Sequence, residues 1–169
     1  MNGEGPACPA RQVLESEIVT VRHRRFETYL YILAAFVALL GLTDAIYLTV
    51  EHLTGRNVDC VASSGCETVL TSNYASIGRV PLAGLGAVAY FAAFSLATLA
   101  AFGQARAGQL LLGLVGLMLG ATCWLFYLQA FVLHAFCDFC LLSAAFILLL
   151  SGIGIATFFL GKRKLRRIK

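Results

Sequence analysis

The sequence predicts an all-α membrane protein: a bundle of four transmembrane helices with a short outer-side helix in the loop between the first and second spans. Of its 169 residues, 59% are hydrophobic and 13% are charged, and the mean hydropathy is +0.81. A soluble domain cannot bury that much apolar surface, so the expected solvent of this chain is a lipid bilayer. Long uncharged segments then predict the membrane-spanning helices, and the basic residues predict on which side of the membrane each end of a helix lies.

Four segments are long enough to cross a hydrocarbon core of about 30 Å at about 1.5 Å per residue. Asp44 is the only Asp, Glu, Lys or Arg in the first segment, and the other three contain none. The links after the second and third segments are short, which indicates antiparallel neighbours. The predicted spans are 29–50, 80–102, 110–132 and 139–160.

Basic residues predict that both termini are cytoplasmic, because cytoplasmic flanks of membrane helices are enriched in Lys and Arg. Arg22, Arg24 and Arg25 lie just before the first span, and six Lys or Arg residues follow the fourth, between positions 162 and 169. The links 51–79 and 133–138 are therefore expected on the outer side. If the chain is bacterial, this topology predicts a multi-pass protein of the inner membrane with the loop 51–79 on the periplasmic side.

The chain is expected to divide into three regions. Residues 1–25 form a cytoplasmic polar tail that we expect to be flexible up to about residue 21. Residues 26–161 form the membrane domain, with 51–79 as its outer catalytic loop, and 162–169 form a basic cytoplasmic tail. The net charge of +4 is then a topology signal, so the bilayer is the expected partner of the basic residues and no nucleic acid is expected.

Six cysteines are the candidates for chemistry, and the predicted topology sorts them. Cys8 lies in the cytoplasmic tail and Cys123 lies in the middle of a span, where a buried thiol behaves as a small apolar side chain. The other four fall on the predicted outer side, which in a bacterium is an oxidising compartment. These four are Cys60, Cys66, Cys137 and Cys140.

The pair Cys137 and Cys140 is expected at the start of the fourth span. Their i, i+3 spacing places both sulfurs on one helix face, and a helix N-terminus favours thiolate over thiol. We expect Cys137 to be the more water-accessible thiol and Cys140 to lie one turn deeper. That difference in depth suits a relay between an aqueous donor and a lipid-soluble acceptor.

The pair Cys60 and Cys66 lies in the long outer loop. Ser64 and Glu67 match the S-x-x-E capping box, which predicts a short helix from Cys66 to about Asn73, with a plain turn as the alternative. Cys60 has no helix signal and is expected on mobile chain.

Three kinds of site remain possible for the four outer thiols. Thiol–disulfide exchange is favoured, because a C-x-x-C at a helix N-terminus is the usual setting of an exchanging pair. Static disulfides are the second possibility. A zinc site is the third and least favoured, since five residues separate Cys60 from Cys66 and zinc pairs usually have two to four between them; no metal is therefore expected.

Four segments in one order carry a resemblance. Cys60-x5-Cys66 leads into Cys-Glu-Thr-Val-Leu-Thr-Ser-Asn-Tyr, Gly-Arg-Val-Pro-Leu-Ala-Gly-Leu-Gly-Ala-Val-Ala-Tyr opens the second span, and Cys137-Asp-Phe-Cys140 follows. Together with Leu-Thr-Asp-Ala-Ile-Tyr-Leu-Thr-Val-Glu-His-Leu at the end of the first span, they make the chain resemble the bacterial branch of the vitamin K epoxide reductase family. The resemblance covers roughly 28–160.

The resemblance implies a role for each thiol. A separate thioredoxin-like (DsbA-like) periplasmic protein exchanges with Cys60, electrons pass to Cys66 and then to Cys137, and Cys140 reduces a membrane quinone. The family places Ser72 near the active thiols, and four further positions match residues that help to line the quinone pocket: Leu70, Tyr74, Leu85 and Tyr90.

This chain differs from the animal members of the family at two positions, and both differences bear on which compound accepts the electrons. Where those members hold the naphthoquinone oxygens with an Asn and a Tyr, this chain has Leu82 or Ala83, and Ala144. We therefore expect an ordinary respiratory quinone, ubiquinone or menaquinone, rather than an epoxide.

Two questions stay open from the sequence. Asp44 could be a functional intramembrane acid or could reach the membrane interface. The protein could also be a non-enzymatic scaffold with two structural disulfides that binds a partner through its outer loop.

Overall fold

The computed structural model describes residues 9–54, 68–69, 76–77 and 80–168, and its side chains within 21–54, 68–69 and 81–160 except at His23. Four helices and one two-stranded hairpin make up these parts. The antiparallel hairpin pairs Ser76 with Pro81 and Ile77 with Val80. In chain order the elements are α1 (Pro9–Thr54), β1 (Ser76–Ile77), β2 (Val80–Pro81), α2 (Leu82–Ala101), α3 (Ala105–Tyr127), a π-helix (Leu128–Val132) and α4 (Asp138–Ile168).

Each helix contains a segment long and apolar enough to cross a bilayer, which confirms the predicted four-span fold class. The predicted spans agree with the helices to within a few residues, because the hydrocarbon core requires a fixed length of uncharged helix. These segments are Arg24–Thr54, Leu82–Ala101, Ala105–Val132 and Asp138–Leu160. In the outer loop Thr68 and Val69 are helical, and the rest of the predicted loop helix lies outside the described residues.

The expected flexible N-terminal tail is wrong from Pro9 onwards. Helix α1 begins at Pro9 and runs without interruption for 46 residues to Thr54. A proline is tolerated in the first turn of a helix because its missing N–H has no intrahelical partner there. The first span is therefore the C-terminal part of a longer helix.

The four helices pack in a closed ring in which α1 contacts α2 and α4, and α3 contacts α2 and α4. Contact between α1 and α2 is the most extensive. Small residues allow this close approach, because alanines on both helices are fully or almost fully buried. They are Ala34, Ala38 and Ala45 on α1, and Ala93 and Ala97 on α2.

The spacing of Gly113, Gly116 and Gly120 on α3, with Gly116-x-x-x-Gly120 as a small-xxx-small match, predicts packing within the bundle. These three glycines do not pack there. A Cβ placed at Gly113, Gly116 or Gly120 would meet no atom of the described part of the chain within 4 Å. The buried face of α3 is instead formed by Ala107, Leu111, Val115 and Met118. Gly152 on α4 is open in the same way within that part of the chain, whereas a Cβ at Gly154 would lie 3.1 Å from Leu112.

Candidate active site

Cys137 lies immediately before the first residue of α4, and its carbonyl accepts a hydrogen bond from the Leu141 N–H at 3.0 Å. The side chain of Cys137 has no exposed surface, whereas Cys140 is partly exposed. The expectation that Cys137 is the more accessible thiol is therefore wrong. The reason is that Cys137 clusters with Leu48 of α1 and Val69 of the outer loop, so this helix start is covered.

The two thiols are free and hydrogen-bond each other. The Cys140 thiol lowers the pKa of Cys137 from 9.0 to about 7, because a hydrogen bond to sulfur favours the thiolate. The backbone N–H groups of Cys140 and Phe139 act in the same direction, and burial and Asp138 act against it. The helix N-terminus thus contributes as the sequence suggests, but the larger contribution comes from the second thiol.

Gln129 holds the segment before Cys137 in place, and the sequence-based reasoning missed it. Its side-chain Oε1 accepts a hydrogen bond from the Cys137 N–H at 3.1 Å, and its backbone carbonyl accepts one from the Ala135 N–H at 3.2 Å. Gln129 is 4% exposed and lies in the π-helix that ends the third span. π-Helical turns are frequent at functional sites.

We expect Gln129→Leu to destabilise the protein, because the Cys137 N–H would lose its acceptor in a buried position. An unsatisfied buried donor costs about 1–3 kcal/mol. The unfolding free energy of the detergent-solubilised protein measures the effect, with Gln109→Leu as the control, since Gln109 is exposed on the same helix. Equal stability of the two variants would contradict the assigned hydrogen bond.

A cavity of about 360 Å³ lies inside the bundle, with walls from all four helices. This volume is within the range of small-molecule sites, about 300–1,000 Å³. The walls are mainly aliphatic and aromatic. Among the described cysteines Cys140 lines the cavity and Cys137 does not. The polar side chains along the walls are Asp44, His52, Tyr90, Thr122, Gln129 and Ser143.

The structure brings three of the sequence-predicted site residues together at this cavity: Cys140, Leu85 and Tyr90. Their role towards a quinone stays a prediction. The apolar positions Leu82, Ala83 and Ala144 also line the cavity. Cys137, a fourth predicted site residue, hydrogen-bonds Cys140 but does not line the cavity. The other five predicted site residues lie outside the described part of the chain; they are Cys60, Cys66, Leu70, Ser72 and Tyr74.

Tyr90 connects α2 to α4 one turn beyond Cys140. Its hydroxyl donates a hydrogen bond to the Ser143 carbonyl at 3.0 Å and lies 2.8 Å from the Ser143 Oγ. The ring is 1% exposed and fits against Gly41 of α1, where a Cβ would overlap three of its carbon atoms. Gly41 and Ser143, both missed by the sequence-based reasoning, therefore fix the position of this wall of the cavity.

We expect Gly41→Ala to displace the Tyr90 ring and to lower the unfolding free energy by about 1–3 kcal/mol, the usual range for overpacking a core. Gly113→Ala is the matched control, because a Cβ there meets open space among the described residues. Thermal unfolding of both variants in detergent tests the prediction. An unchanged melting temperature for Gly41→Ala would show that the Tyr90 ring can move without a loss of stability, contrary to the prediction.

Asp44 lies on the cavity side of α1, about 15 Å before the C-terminal end of this helix at Thr54, since the rise is about 1.5 Å per residue. Its Oδ2 is buried and has no hydrogen-bond partner among the described residues. The carboxyl group thus faces the cavity rather than the membrane surface. Of the two interpretations left open by the sequence, the structure favours the intramembrane one.

Metal-ligand clusters of three or more His, Cys, Asp or Glu side chains are absent from the described part of the chain. The zinc site considered from the sequence would need Cys60 and Cys66, and both lie outside the described part of the chain.

Fold and site together define a class of protein: a four-span membrane protein with a dithiol at one end of its bundle, one of whose thiols faces an apolar cavity inside the bundle. The model of the vitamin K epoxide reductase family matches residues 32–155, well over half of the chain. The chain belongs to this family, which confirms the resemblance seen in the motifs. Its members are membrane oxidoreductases that link thiols to quinones.

Proposed function

We propose that the protein is a quinone-dependent thiol oxidoreductase that forms disulfide bonds de novo. It would oxidise a separate thioredoxin-like periplasmic protein through Cys60 and Cys66 and reduce a membrane quinone at Cys140. One observation carries this proposal: Cys140 lines a cavity with predominantly apolar walls, while its partner Cys137 is covered by Leu48 and by Val69 of the outer loop.

The proposed reaction balances without a further reagent. The partner dithiol loses two electrons and two protons as its S–S bond forms. These pass by thiol–disulfide exchange to Cys60–Cys66 and then to Cys137–Cys140. When the latter pair closes its own S–S bond, the two electrons and two protons reduce the quinone to the quinol.

The lowered pKa of Cys137 supports its position in the middle of this path. Exchange is faster when the leaving thiol has a low pKa. In the proposed path Cys60 attacks Cys66 in the Cys66–Cys137 disulfide, and Cys137 is the sulfur that leaves. Because the pKa of Cys137 is about 7 rather than 9.0, it leaves as a thiolate at neutral pH.

An ordinary respiratory quinone, ubiquinone or menaquinone, fits the described walls best. The family's animal members hold the naphthoquinone oxygens with side chains at places where this cavity has Leu82 or Ala83, and Ala144. A quinone would therefore be held mainly by apolar contact, with few polar groups to fix its direction.

We further propose that the dithiol end of the bundle faces the periplasm of a bacterium. The basic residues at both chain ends favour a cytoplasmic location for the termini. Exposed aromatic rings lie at the dithiol end of the third span, where Trp124 stacks on Tyr127 at 6.0 Å and Tyr127 lies 5.1 Å from Phe131. Such rings are typical of a membrane–water interface.

The test is turnover by the purified protein. With a reduced thioredoxin-like protein and a soluble short-chain quinone, we expect quinone absorbance to fall as the partner's thiols disappear, one quinone per disulfide formed. Absence of turnover with all six thiols reduced and titratable would favour the non-enzymatic scaffold instead.

A further inference from the structure

The carboxyl group of Asp44 is the least satisfied polar group in the described part of the bundle. Its Oδ2 is buried without a hydrogen-bond partner among those residues, and the walls around it are predominantly apolar. Burying a carboxyl group in a membrane span carries a free-energy cost, and such groups are usually functional. A ligand that enters the cavity would supply the missing partner.

Asp44 lies close to the reacting thiol as well as to the cavity. Its charge interacts electrostatically with Cys140 on α4 and with Tyr90 on α2. Cys140, Tyr90 and Asp44 line the same cavity. The Tyr90 hydroxyl already donates to Ser143, so Asp44 is the better placed of the two to exchange a proton with a bound molecule.

The proposed reaction needs such a proton carrier. Quinone reduction places two protons on two oxygen atoms, and the thiols that release them close an S–S bond. In a cavity with apolar walls, negative charge that develops on a quinone oxygen is poorly solvated, so a positioned acid lowers the barrier.

We propose that Asp44 is the catalytic proton carrier of the quinone site. Its carboxyl group accepts a proton released by the thiol pair and gives it to one oxygen of the bound quinone. Asp44 is protonated and deprotonated once in each turnover, so it does not alter the balance of two electrons and two protons. This inference rests on the proposed function.

Three other titratable groups face the same space. They are Tyr90 from α2, Cys140 from α4 and His52 from α1 itself, two turns nearer the outer end. From α3 and its π-helical end come Thr122 and Gln129, which do not titrate. A titration seen in the kcat–pH profile of the wild type could therefore come from any of these groups. It can be assigned to Asp44 only by comparison with a variant in which Asp44 is changed.

The test compares Asp44→Asn with wild type in steady-state quinone reduction. An amide has the shape of the carboxyl group and can donate a hydrogen bond, but it cannot carry a proton. We expect kcat to fall by about 10²–10⁴-fold with little change in the KM for quinone. The limb of the kcat–pH profile that belongs to Asp44 should disappear. Asp44→Glu, which keeps the acid, should recover part of kcat and that limb.

Two controls separate this role from a structural one. Thr43→Val changes the neighbouring residue on the exposed side of α1, where Thr43 bonds only the Leu39 carbonyl among the described residues, and should leave kcat unchanged. Pre-oxidised Asp44→Asn protein, with both cysteine pairs as disulfides and without quinone, should oxidise up to two equivalents of the partner dithiol at the wild-type rate, because that half-reaction does not use the quinone site.

Three results would overturn the proposal. They are an unchanged kcat in Asp44→Asn, a raised KM at unchanged kcat, and a parallel loss of both half-reactions with loss of thermal stability. Failure of the proposed function is a different result, because wild type itself would then reduce no quinone.

Discussion

Cys140→Ala is expected to abolish quinone reduction while leaving the outer exchange steps intact. Cys140 is the described thiol that lines the cavity, so its removal deprives the quinone of its electron donor. Cys137 remains and can still exchange with Cys66. We therefore expect a fall of at least about 10³-fold in kcat, as for loss of a covalent catalytic group, together with an accumulating Cys66–Cys137 disulfide.

Quinone absorbance measures the first effect, and peptide mass spectrometry under non-reducing conditions detects the disulfide. Cys123→Ala is the matched control, because Cys123 is a free thiol exposed on the outside of α3, and Cys8→Ala is the second. Both should retain wild-type turnover. Loss of activity in Cys123→Ala would show that the assignment of chemistry to the four outer thiols is wrong.

Cys66→Ser is expected to capture the physiological partner as a stable mixed disulfide on Cys60. In this variant the Cys60 thiolate attacks the disulfide of an oxidised partner, and one partner thiolate leaves. Cys66 is the neighbouring thiol that would displace the bound partner from Cys60; serine cannot, so the mixed disulfide persists. Steady-state turnover should fall to background. Non-reducing electrophoresis of membranes from cells that express the variant shows the adduct, and mass spectrometry identifies the attached protein.

The double variant Cys60→Ser with Cys66→Ser is the control, since it has no thiol to hold the partner. An adduct that survives in the double variant would come from another cysteine. If Cys66→Ser captures nothing while wild type reduces quinone, electrons enter by a route other than Cys60. If wild type is also inactive, two structural disulfides become the better explanation of the loop.

The fold was predictable because a bilayer leaves few choices. A membrane span must be long, uncharged and helical. The segments 29–50 and 139–160 are long and almost or fully uncharged, so a membrane-spanning helix is the one structure that suits them. The position of the dithiol at the start of the fourth helix was also predictable, since Cys137 and Cys140 lie on either side of the boundary between the link 133–138 and the uncharged segment 139–160. Hydropathy reports where an apolar helix begins and ends along the chain, and the four helices agree with it.

What the sequence did not predict is which side of each helix faces the interior. Cys137 is buried by Leu48 and Val69, which are far from it in the chain. Gln129 reaches Cys137 because the third span ends in a π-helix, and nothing in its composition signals that change of winding. The one available clue was that Gln129 is the only amide side chain in the segment 110–132, and buried polar side chains between membrane helices usually have partners.

The glycines illustrate the same limit. The spacing of Gly116 and Gly120 is typical of close helix packing, yet both lie on the open side of α3, and the close approach occurs at Gly41 instead. Helix spacing can be read from a sequence, but the orientation of a helix about its own axis depends on its neighbours.

Cys137 is buried whereas Cys140 faces the cavity, and this difference affects which redox compounds can reach the two thiols. A pair of reactive sulfurs that both faced water would be open to glutathione and other small redox compounds. Here the outer sulfur has no exposed surface and the inner one opens onto a chamber with mainly oily walls. We therefore expect small water-soluble thiols to react slowly with Cys137, so that in the proposed reaction electrons enter through the loop cysteines and leave with a lipid-soluble carrier.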